Sequence, residues 1–288
     1  MLSRRRLLAL AAAIPIGAAA ACGSPAGSTL ERARQAGTLR IGISGERPYG
    51  YADAGGRVTG VQPEVARAVL TRLGVPGLDA VQVPFDQLLT RLRDGQFDLV
   101  AAGMTVTPAR CGQVAFTRPD FVAPPAFLVR TGNPRRVQTF ADVARSGVRL
   151  AVLAGSAEID YARAAGVADD RLQIVGSQSE LFRAVATRKV PVGALTRISL
   201  ADELRRNPGE AVEITAPVTP MVEGRAVVPG AAFAVRTGET ELLAAFNAEL
   251  TAIQESGEWL RITRPFGMTE ANLPRPDLTT EALCRPAS

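Results

Sequence analysis

The 288-residue sequence contains no histidine and only three cysteines. Histidine is the usual general base of catalytic triads and a common zinc ligand, so its absence excludes triads and histidine-based metal sites. Charge is nearly balanced, with 33 Lys and Arg against 28 Asp and Glu, which gives no reason to expect a nucleic-acid partner. We therefore expect neither a metal nor a cofactor, and catalysis by carboxylate pairs is the enzymatic chemistry that stays open.

The apolar run over residues 9–21 is too short to cross a bilayer as a helix. It follows three arginines at positions 4–6, and a basic segment before a short apolar one is typical of a secretion signal, here residues 1–21. Residues 3–8 resemble a twin-arginine export signal, although ordinary secretion would use the same basic segment. Without the three leader arginines, the formal charge of +5 falls to +2.

Cys22 follows three alanines and resembles the acylated cysteine of a bacterial lipobox. Ala19 stands where that motif has a larger apolar residue, and an Ala-x-Ala site of soluble secretion would leave Cys22 incidental. The Gly-, Ser- and Pro-containing stretch that follows favours a flexible tether. We expect a lipid anchor at Cys22 in the cell membrane and a tether over residues 22–36.

The other two cysteines, Cys111 and Cys284, are 173 positions apart. An exported chain meets an oxidising compartment, where the two would either form a disulfide or stay as buried free thiols. By the chain-entropy model a bond closing so long a loop would contribute on the order of 4–5 kcal/mol.

Strands and helices alternate along the first half of the chain. A β-rich run at 38–43 precedes an apolar-periodic segment at 63–73 that predicts a helix. Further strands are predicted at 80–83 and 97–102, with a helix capped by Asp86 between them. This order predicts a parallel sheet with right-handed crossovers and a ligand site beyond the carboxyl ends of its strands.

A second series of the same kind follows an extended segment at 126–130, which we interpret as a hinge strand. A similar run at 231–236 predicts the return hinge, and apolar residues at helical spacing over 240–256 predict a helix that packs on the first lobe. The other elements predicted here are a strand at 148–153 and helices near 158–165 and 179–187.

Four segments occur in a fixed order and resemble the periplasmic-type solute-binding proteins of polar amino-acid ABC transporters, over nearly all of residues 37–284. The resemblance implies a two-lobed α/β clamshell of the type II periplasmic-binding-protein kind with two hinge strands. It also implies a monomer that hands its solute to a membrane permease and does no chemistry on it. Lobe 1 is expected at 37–126 plus 233–288 and lobe 2 at 127–232. The segments are Gly37 to Gly42, Val58 to Gly60, Gly95 to Leu99 and Gly103 to Arg110.

Within that family, segments 46–51, 107–111, 165–171 and 266–284 resemble the ectoine- and hydroxyectoine-binding branch. Both cysteines of the expected disulfide lie inside these segments, which favours the bond. The resemblance implies a small zwitterion such as ectoine as the solute, with a polar or basic amino acid as the alternative. Cyclohexadienyl dehydratases share this architecture without using histidine, and they are the enzymatic alternative.

The same resemblance assigns roles to four side chains. Arg110 is expected to grip the solute carboxylate with two parallel hydrogen bonds, because a guanidinium fork matches a carboxylate. Glu46 is expected to face the cationic part of the solute, and Tyr49 and Phe85 to enclose it with their rings. A surface arginine, an ordinary loop acid and a core phenylalanine are the structural alternatives.

Gly103, Thr105 and Ser156 complete the expected site. Thr105 stands where the ectoine-binding branch has a third aromatic ring, whereas general amino-acid binders have a hydroxyl there. Thr196 stands where those binders have an aspartate for the α-ammonium, and losing that carboxylate argues against an ordinary α-amino acid. Ser156, after Gly155 at a predicted helix N-terminus, would offer a backbone N–H and a hydroxyl to the solute carboxylate.

Overall fold

The computed structural model describes residues 27–286, so the export leader and Cys22 lie outside the described residues. Within that range, no helix is both long and apolar enough to cross a membrane. The helices are α1 Thr29–Ala36, α2 Val61–Arg72, α3 Leu88–Arg93, α4 Pro108–Cys111, α5 Phe140–Ser146, α6 Ala157–Ala164, α7 Gln178–Ala186, α8 Arg197–Arg206, α9 Thr240–Glu255, α10 Glu258–Thr263 and α11 Thr280–Cys284.

Between residues 27 and 286 the strands form two five-stranded sheets and three two-stranded pairs. The strands are β1 Thr38–Ile43, β2 Tyr51–Ala52, β3 Val58–Thr59, β4 Gly77–Gln82, β5 Leu99–Val100, β6 Ala115–Phe116, β7 Phe121–Val122, β8 Pro125–Arg130, β9 Leu150–Leu153, β10 Leu172–Val175, β11 Val192–Thr196, β12 Val212–Ile214, β13 Met221–Val222, β14 Arg225–Ala226, β15 Gly230–Ala231 and β16 Ala234–Val235.

The first sheet has the order β4-β1-β5-β16-β6, and the second has the order β10-β9-β11-β8-β12. The expected parallel pairing holds for β4, β1 and β5 and for β10, β9 and β11. The parallel sheet predicted from these elements is only part of each sheet, because β8 and β16 pair antiparallel with their neighbours. The chain reaches each of these two strands from the other lobe. Each strand therefore runs opposite to the neighbours with which it pairs.

The two connections between the lobes run side by side. Strand β7 pairs antiparallel with β15, so that Val122 faces Gly230 and Phe121 faces Ala231. The predicted return hinge at 231–236 is therefore two short strands, one in the connection and one in the first sheet. The two-lobed α/β clamshell with two hinge strands is confirmed.

The lobes are in contact. One buried cluster lies in lobe 1 around α2 and α9, with Trp259 and Phe246 fully buried, and another lies in lobe 2 around Phe140. A third cluster contains residues of both sheets, among them Phe85 from lobe 1 and Leu153 from lobe 2. Apolar burial therefore continues across the cleft, and the structure is a closed form of the clamshell.

Two local expectations are corrected. Residues 29–36, assigned to the tether, form α1, because Ser28 and Glu31 make a capping box and Leu30 and Ala33 are buried one turn apart. Asp86 does not cap a helix but lies inside a 3₁₀ turn, Phe85–Gln87, that leads into α3. The aspartate is exposed there and free of a capping role.

The expected disulfide is present between Cys111 and Cys284, whose Cα atoms are 5.7 Å apart. It joins α11, near the end of the chain, to α4, the short helix that carries Arg110. The tail is also held by Thr280, whose hydroxyl donates to the Thr117 carbonyl at 2.6 Å. The last segment of the chain is thus covalently tied to the wall of the cleft.

Candidate functional site

The candidate site lies in the cleft, where loops follow the carboxyl ends of strands from both sheets. On the lobe 1 side, the segment after β1 carries Glu46 and Tyr49, and the segment after β5 leads through Gly103 to α4. On the lobe 2 side, the helices α6, α7 and α8 begin directly after β9, β10 and β11. In open α/β sheets, ligands bind in the crevice beyond the carboxyl ends of the strands, and these segments lie there.

Glu46 is buried in the cleft, with 7% of its surface exposed, and it contacts lobe 2. The hydroxyl of Ser199, in α8, donates a hydrogen bond of 2.7 Å to its carboxylate. Burial raises the pKa of Glu46 to about 8, the hydrogen bond from Ser199 lowers it, and the nearby charge of Glu158 raises it further. A cationic partner would stabilise the ionised form of this buried carboxylate, because it would compensate for the hydration that burial removes.

The residue after Glu46 joins the two lobes through its backbone. The Gln178 side chain accepts from the Arg47 N–H at 3.1 Å and donates to the Arg47 carbonyl at 2.8 Å. Gln178 also donates to the Ser199 hydroxyl at 2.8 Å. Gln178 and Ser199 therefore fix the loop of Glu46 against lobe 2.

Arg110 also bridges the cleft from lobe 1 to lobe 2, and it is 9% exposed. Its guanidinium donates to the carbonyl of Thr105 at 2.6 Å and to the carbonyl of Gly155, in lobe 2, at 2.7 Å. A guanidinium has five N–H donors, so three are left for other acceptors. Burial lowers the pKa of Arg110, and the nearby Tyr161, Asp160 and Glu158 oppose that change.

The close approach at Gly155 requires a glycine. Its φ is +72°, and a Cβ there would lie 2.8 Å from the Cα of Asp86 in lobe 1. Any side chain would push the lobes apart at the point where Arg110 donates.

Tyr49 is buried in lobe 1, where its ring stacks on Phe121 with centroids 5.3 Å apart. Its hydroxyl crosses to lobe 2 and donates to the Thr196 hydroxyl at 2.6 Å. Phe85 lies below Arg110, whose guanidinium carbon is 5.7 Å from the ring centroid. Tyr49 therefore supports the wall of the cleft from lobe 1, and Phe85 is the ring that lies beside the charged groups.

Gly103 sets the position of Tyr49. Its φ is +70°, and a Cβ at this residue would lie 2.7 Å from Cγ of Tyr49. Its N–H donates to the Gln62 side chain at 2.8 Å. Gln62 in turn donates to Asp120, which also accepts from the Trp259 indole at 2.8 Å. Gly103 thus admits the Tyr49 ring and connects the site loop to a buried polar network.

Phe85 and Glu46 also line a cavity of about 120 Å³ between the lobes, with Leu153 and Gln178 on the opposite wall. Thr105 contributes its carbonyl to Arg110, and its backbone forms a bridge with Ala231 in the return connection. The cavity places an apolar ring next to a buried acid, which suits a small solute with a delocalised cationic group.

Ser156 and two neighbours form the lobe 2 wall near Arg110. The Ser156 side chain is 6% exposed, and within residues 27–286 its hydroxyl has no hydrogen-bond partner. Glu158 and Tyr161, in the first and second turns of α6, are each 4% exposed. Burial raises the pKa of both, and the charge of Arg110 opposes the rise for both.

The structure brings all seven residues expected at the site to the cleft or its wall. Sequence reasoning missed four others that face them from lobe 2. A signal was available, because each of the four follows the carboxyl end of a strand, where ligand-facing residues concentrate in such sheets. They are Glu158, Tyr161, Gln178 and Ser199.

A pH dependence of stability follows from two buried acids. Burial raises the pKa of Glu46 to about 8 and that of Asp120 to about 7, from ordinary values of 4.5 and 3.8. At pH values between the ordinary and the raised pKa of each acid, the folded state binds more protons than the unfolded chain. The free energy of unfolding therefore falls as pH rises through this range. We expect the solute-free protein to be more stable to urea at pH 5 than at pH 8.5.

Asp120→Asn is the matched variant, since the amide oxygen can still accept from Trp259 without titrating. Its stability should change less between pH 5 and 8.5 than that of the wild type. Equal or rising wild-type stability over this range would contradict the prediction.

Comparison with known proteins gives concordant matches. The model of bacterial extracellular solute-binding proteins, family 3, matches residues 39–269. A probable amino-acid ABC transporter periplasmic-binding protein of Sinorhizobium fredii (strain NBRC 101917 / NGR234) is 30% identical over 89% of this chain and 86% of its own.

Two solved structures are similar over most of their lengths. EhuB in complex with hydroxyectoine has a TM-score of 0.80 and 31% identity, covering 89% of this chain and 97% of its own. An ancestral arginine-binding protein bound to arginine has a TM-score of 0.71 and 27% identity, covering 81% of this chain and 99% of its own.

Proposed function

The chain belongs to the bacterial extracellular solute-binding proteins of family 3, and from that membership we propose that it binds a small amino-acid-like solute and delivers it to an ABC permease. The solute carries a carboxylate for Arg110 and a cationic group for Glu46. The observation that carries the proposal is the placement of two buried side chains, a carboxylate and a guanidinium, in the lobe 1 wall of one closed cleft, each with a hydrogen bond to lobe 2.

Arg110 supports the carboxylate end of the proposal. Two of its N–H groups are held by the carbonyls of Thr105 and Gly155, which fixes the guanidinium plane. Its remaining donors can form charge-assisted hydrogen bonds with a carboxylate in the cleft. Because one carbonyl comes from each lobe, closure and the grip on the carboxylate depend on the same side chain.

Glu46 and Phe85 support the cationic end. A buried carboxylate with one hydroxyl donor is incompletely compensated, and a cation from the solute would complete it. Two classes of solute meet the description. Cyclic amidinium zwitterions of the ectoine type are favoured by the likeness to EhuB, and amino acids with a cationic side chain by the likeness to the arginine-bound ancestral protein.

Calorimetric titration of the purified protein tests the proposal. The panel contains ectoine, hydroxyectoine, L-arginine, L-lysine, L-glutamine and the dicarboxylate prephenate. We expect saturable binding at one site for at least one zwitterionic or cationic member, and prephenate to be recovered unchanged. The proposal would be contradicted if no solute of the panel gave a heat of binding. Turnover of prephenate, as by a cyclohexadienyl dehydratase, would contradict it as well.

We further propose that the protein works as a monomer outside the cytoplasm. Export by the twin-arginine leader and anchoring through acylated Cys22 are part of this proposal, and their residues lie outside the described range. The position of α1 is compatible with it, because the N-cap of this helix, Ser28, is six positions after Cys22 in the sequence.

A further inference from the structure

A chain of hydrogen bonds runs from the core of lobe 1 to the loop that carries Gly103. The Trp259 indole N–H donates to one carboxylate oxygen of Asp120 at 2.8 Å, and the Gln62 amide donates to the other at 3.3 Å. The carbonyl oxygen of the same amide accepts from the Gly103 N–H at 2.8 Å. Trp259, Asp120 and Gln62 are fully buried, so water does not replace any of these partners.

Each bond in this chain has only one possible direction. An indole N–H and a backbone N–H can only donate, so both ends of the chain are donors. An ionised carboxylate can only accept, so Asp120 accepts a hydrogen bond on each side. The Gln62 amide must then turn its NH2 group to Asp120 and its carbonyl oxygen to Gly103. The Asp120 carboxylate therefore determines which way the Gln62 amide faces.

Gln62 holds two residues of the solute site. Its side chain accepts from the Gly103 N–H, and its backbone N–H donates to the Tyr49 carbonyl at 3.1 Å. Gly103 lies directly against the Tyr49 ring. Asp120, which precedes β7, donates its backbone N–H to the Ala231 carbonyl in the return connection at 2.7 Å. The same network therefore contacts the site loop and both connections between the lobes.

We propose that Asp120 and Gln62 are positioning residues for solute binding. The Asp120 carboxylate orients the Gln62 amide, and the amide holds Gly103 in the place where the Tyr49 ring packs on it. Both residues act through Gly103 and Tyr49 and not by contact with the solute. The inference rests on the proposed function, because it takes the solute to bind in the cleft that these two residues line.

Exchanging the acid and the amide tests whether the direction of the bonds matters. Asp120→Asn brings an amide with one acceptor and one donor, so two donors must face each other somewhere along the chain. The mismatch costs least at Gly103, which is partly exposed, whereas the other members of the network are fully buried. In the double variant Asp120→Asn/Gln62→Glu the amide donates to a carboxylate that also accepts from Gly103. Every donor again has an acceptor, and the net charge is unchanged.

Calorimetric titration at pH 8.5 measures the effect, with whichever of ectoine, hydroxyectoine, L-arginine, L-lysine and L-glutamine the wild type binds most tightly. Burial raises the pKa of Asp120 to about 7, so its carboxylate is ionised at this pH. We expect Asp120→Asn to weaken binding about tenfold, as for one buried donor left unpaired. The double variant should bind within about threefold of the wild-type affinity.

Gln254→Met is the matched control, because it removes hydrogen bonds beside Asp120 without changing the chain of donors and acceptors. The Gln254 side chain donates to the backbone carbonyls of Pro119 and Asp120 at 3.0 and 3.2 Å. Urea unfolding should show a loss of stability in this variant, while its affinity stays within about threefold of the wild type. A merely structural role for Asp120 would make affinity fall with stability in both variants.

Wild-type affinity in Asp120→Asn, or a double variant that binds as weakly as Asp120→Asn, would overturn the inference while leaving the proposed function intact. If Asp120→Asn does not fold, the double variant decides: wild-type affinity supports the inference, and weakened binding or failure to fold contradicts it. Binding of none of the five solutes by the wild type would instead contradict the proposed function, and the inference with it.

Discussion

Arg110→Ala is expected to weaken solute binding at least about 30-fold, equivalent to about 2 kcal/mol. The solute carboxylate would lose its charged partner inside a closed cleft, where water cannot replace it. The variant also loses the hydrogen bond to Gly155 that joins the two lobes. Calorimetric titration of the best solute of the panel measures the effect.

Arg110→Lys and Arg163→Ala serve as controls for this prediction. Lysine keeps the charge without the planar fork, so it should recover only part of the lost affinity. Arg163 is 54% exposed and pairs with Asp169 on the outside of lobe 2, so its loss should leave binding unchanged. If Arg110→Ala bound the solute within about threefold of the wild-type affinity, Arg110 would not be a binding partner of the solute carboxylate.

Loss of the Cys111–Cys284 disulfide is expected to lower the free energy of unfolding by about 4–5 kcal/mol. The bond closes a loop of 173 positions, so breaking it releases a large number of unfolded conformations. Either Cys111→Ala or Cys284→Ala removes the bond. Urea unfolding of each variant beside the wild type measures the loss.

The double variant is the control, because a bond can be broken only once. If the disulfide is the source of the effect, the double variant should be little less stable than either single variant. Losses that add would show that the two side chains act through separate contacts. Reduction of the wild type should reproduce the loss, whereas a reductant should leave the double variant unaffected.

Much of the fold could be predicted because local patterns control it. The spacing of Leu242, Phe246 and Leu250 predicted α9 and its buried face, and all three are buried against lobe 1. The reversal of β8 and β16 could not be predicted, since it depends on how the chain passes twice between lobes. Periodicity within a strand carries no information about its direction.

The candidate site could likewise be predicted only in part. Glu46 and Arg110 stood out because each lies in a segment that follows a strand and in a family motif. Their partners did not stand out, because Ser199 is 153 positions from Glu46 and Gly155 is 45 positions from Arg110. Glu158 has the sequence context of an ordinary acid in the first turn of a helix. Only its burial across the cleft from Glu46 distinguishes it.

A crystal structure of the protein with its best-binding solute tests the central claim most directly. The account predicts a closed cleft with the solute carboxylate about 2.7–2.9 Å from the Arg110 guanidinium and a cationic group of the solute against Glu46. A solute bound outside the cleft, or one whose carboxylate lies away from Arg110, would contradict it.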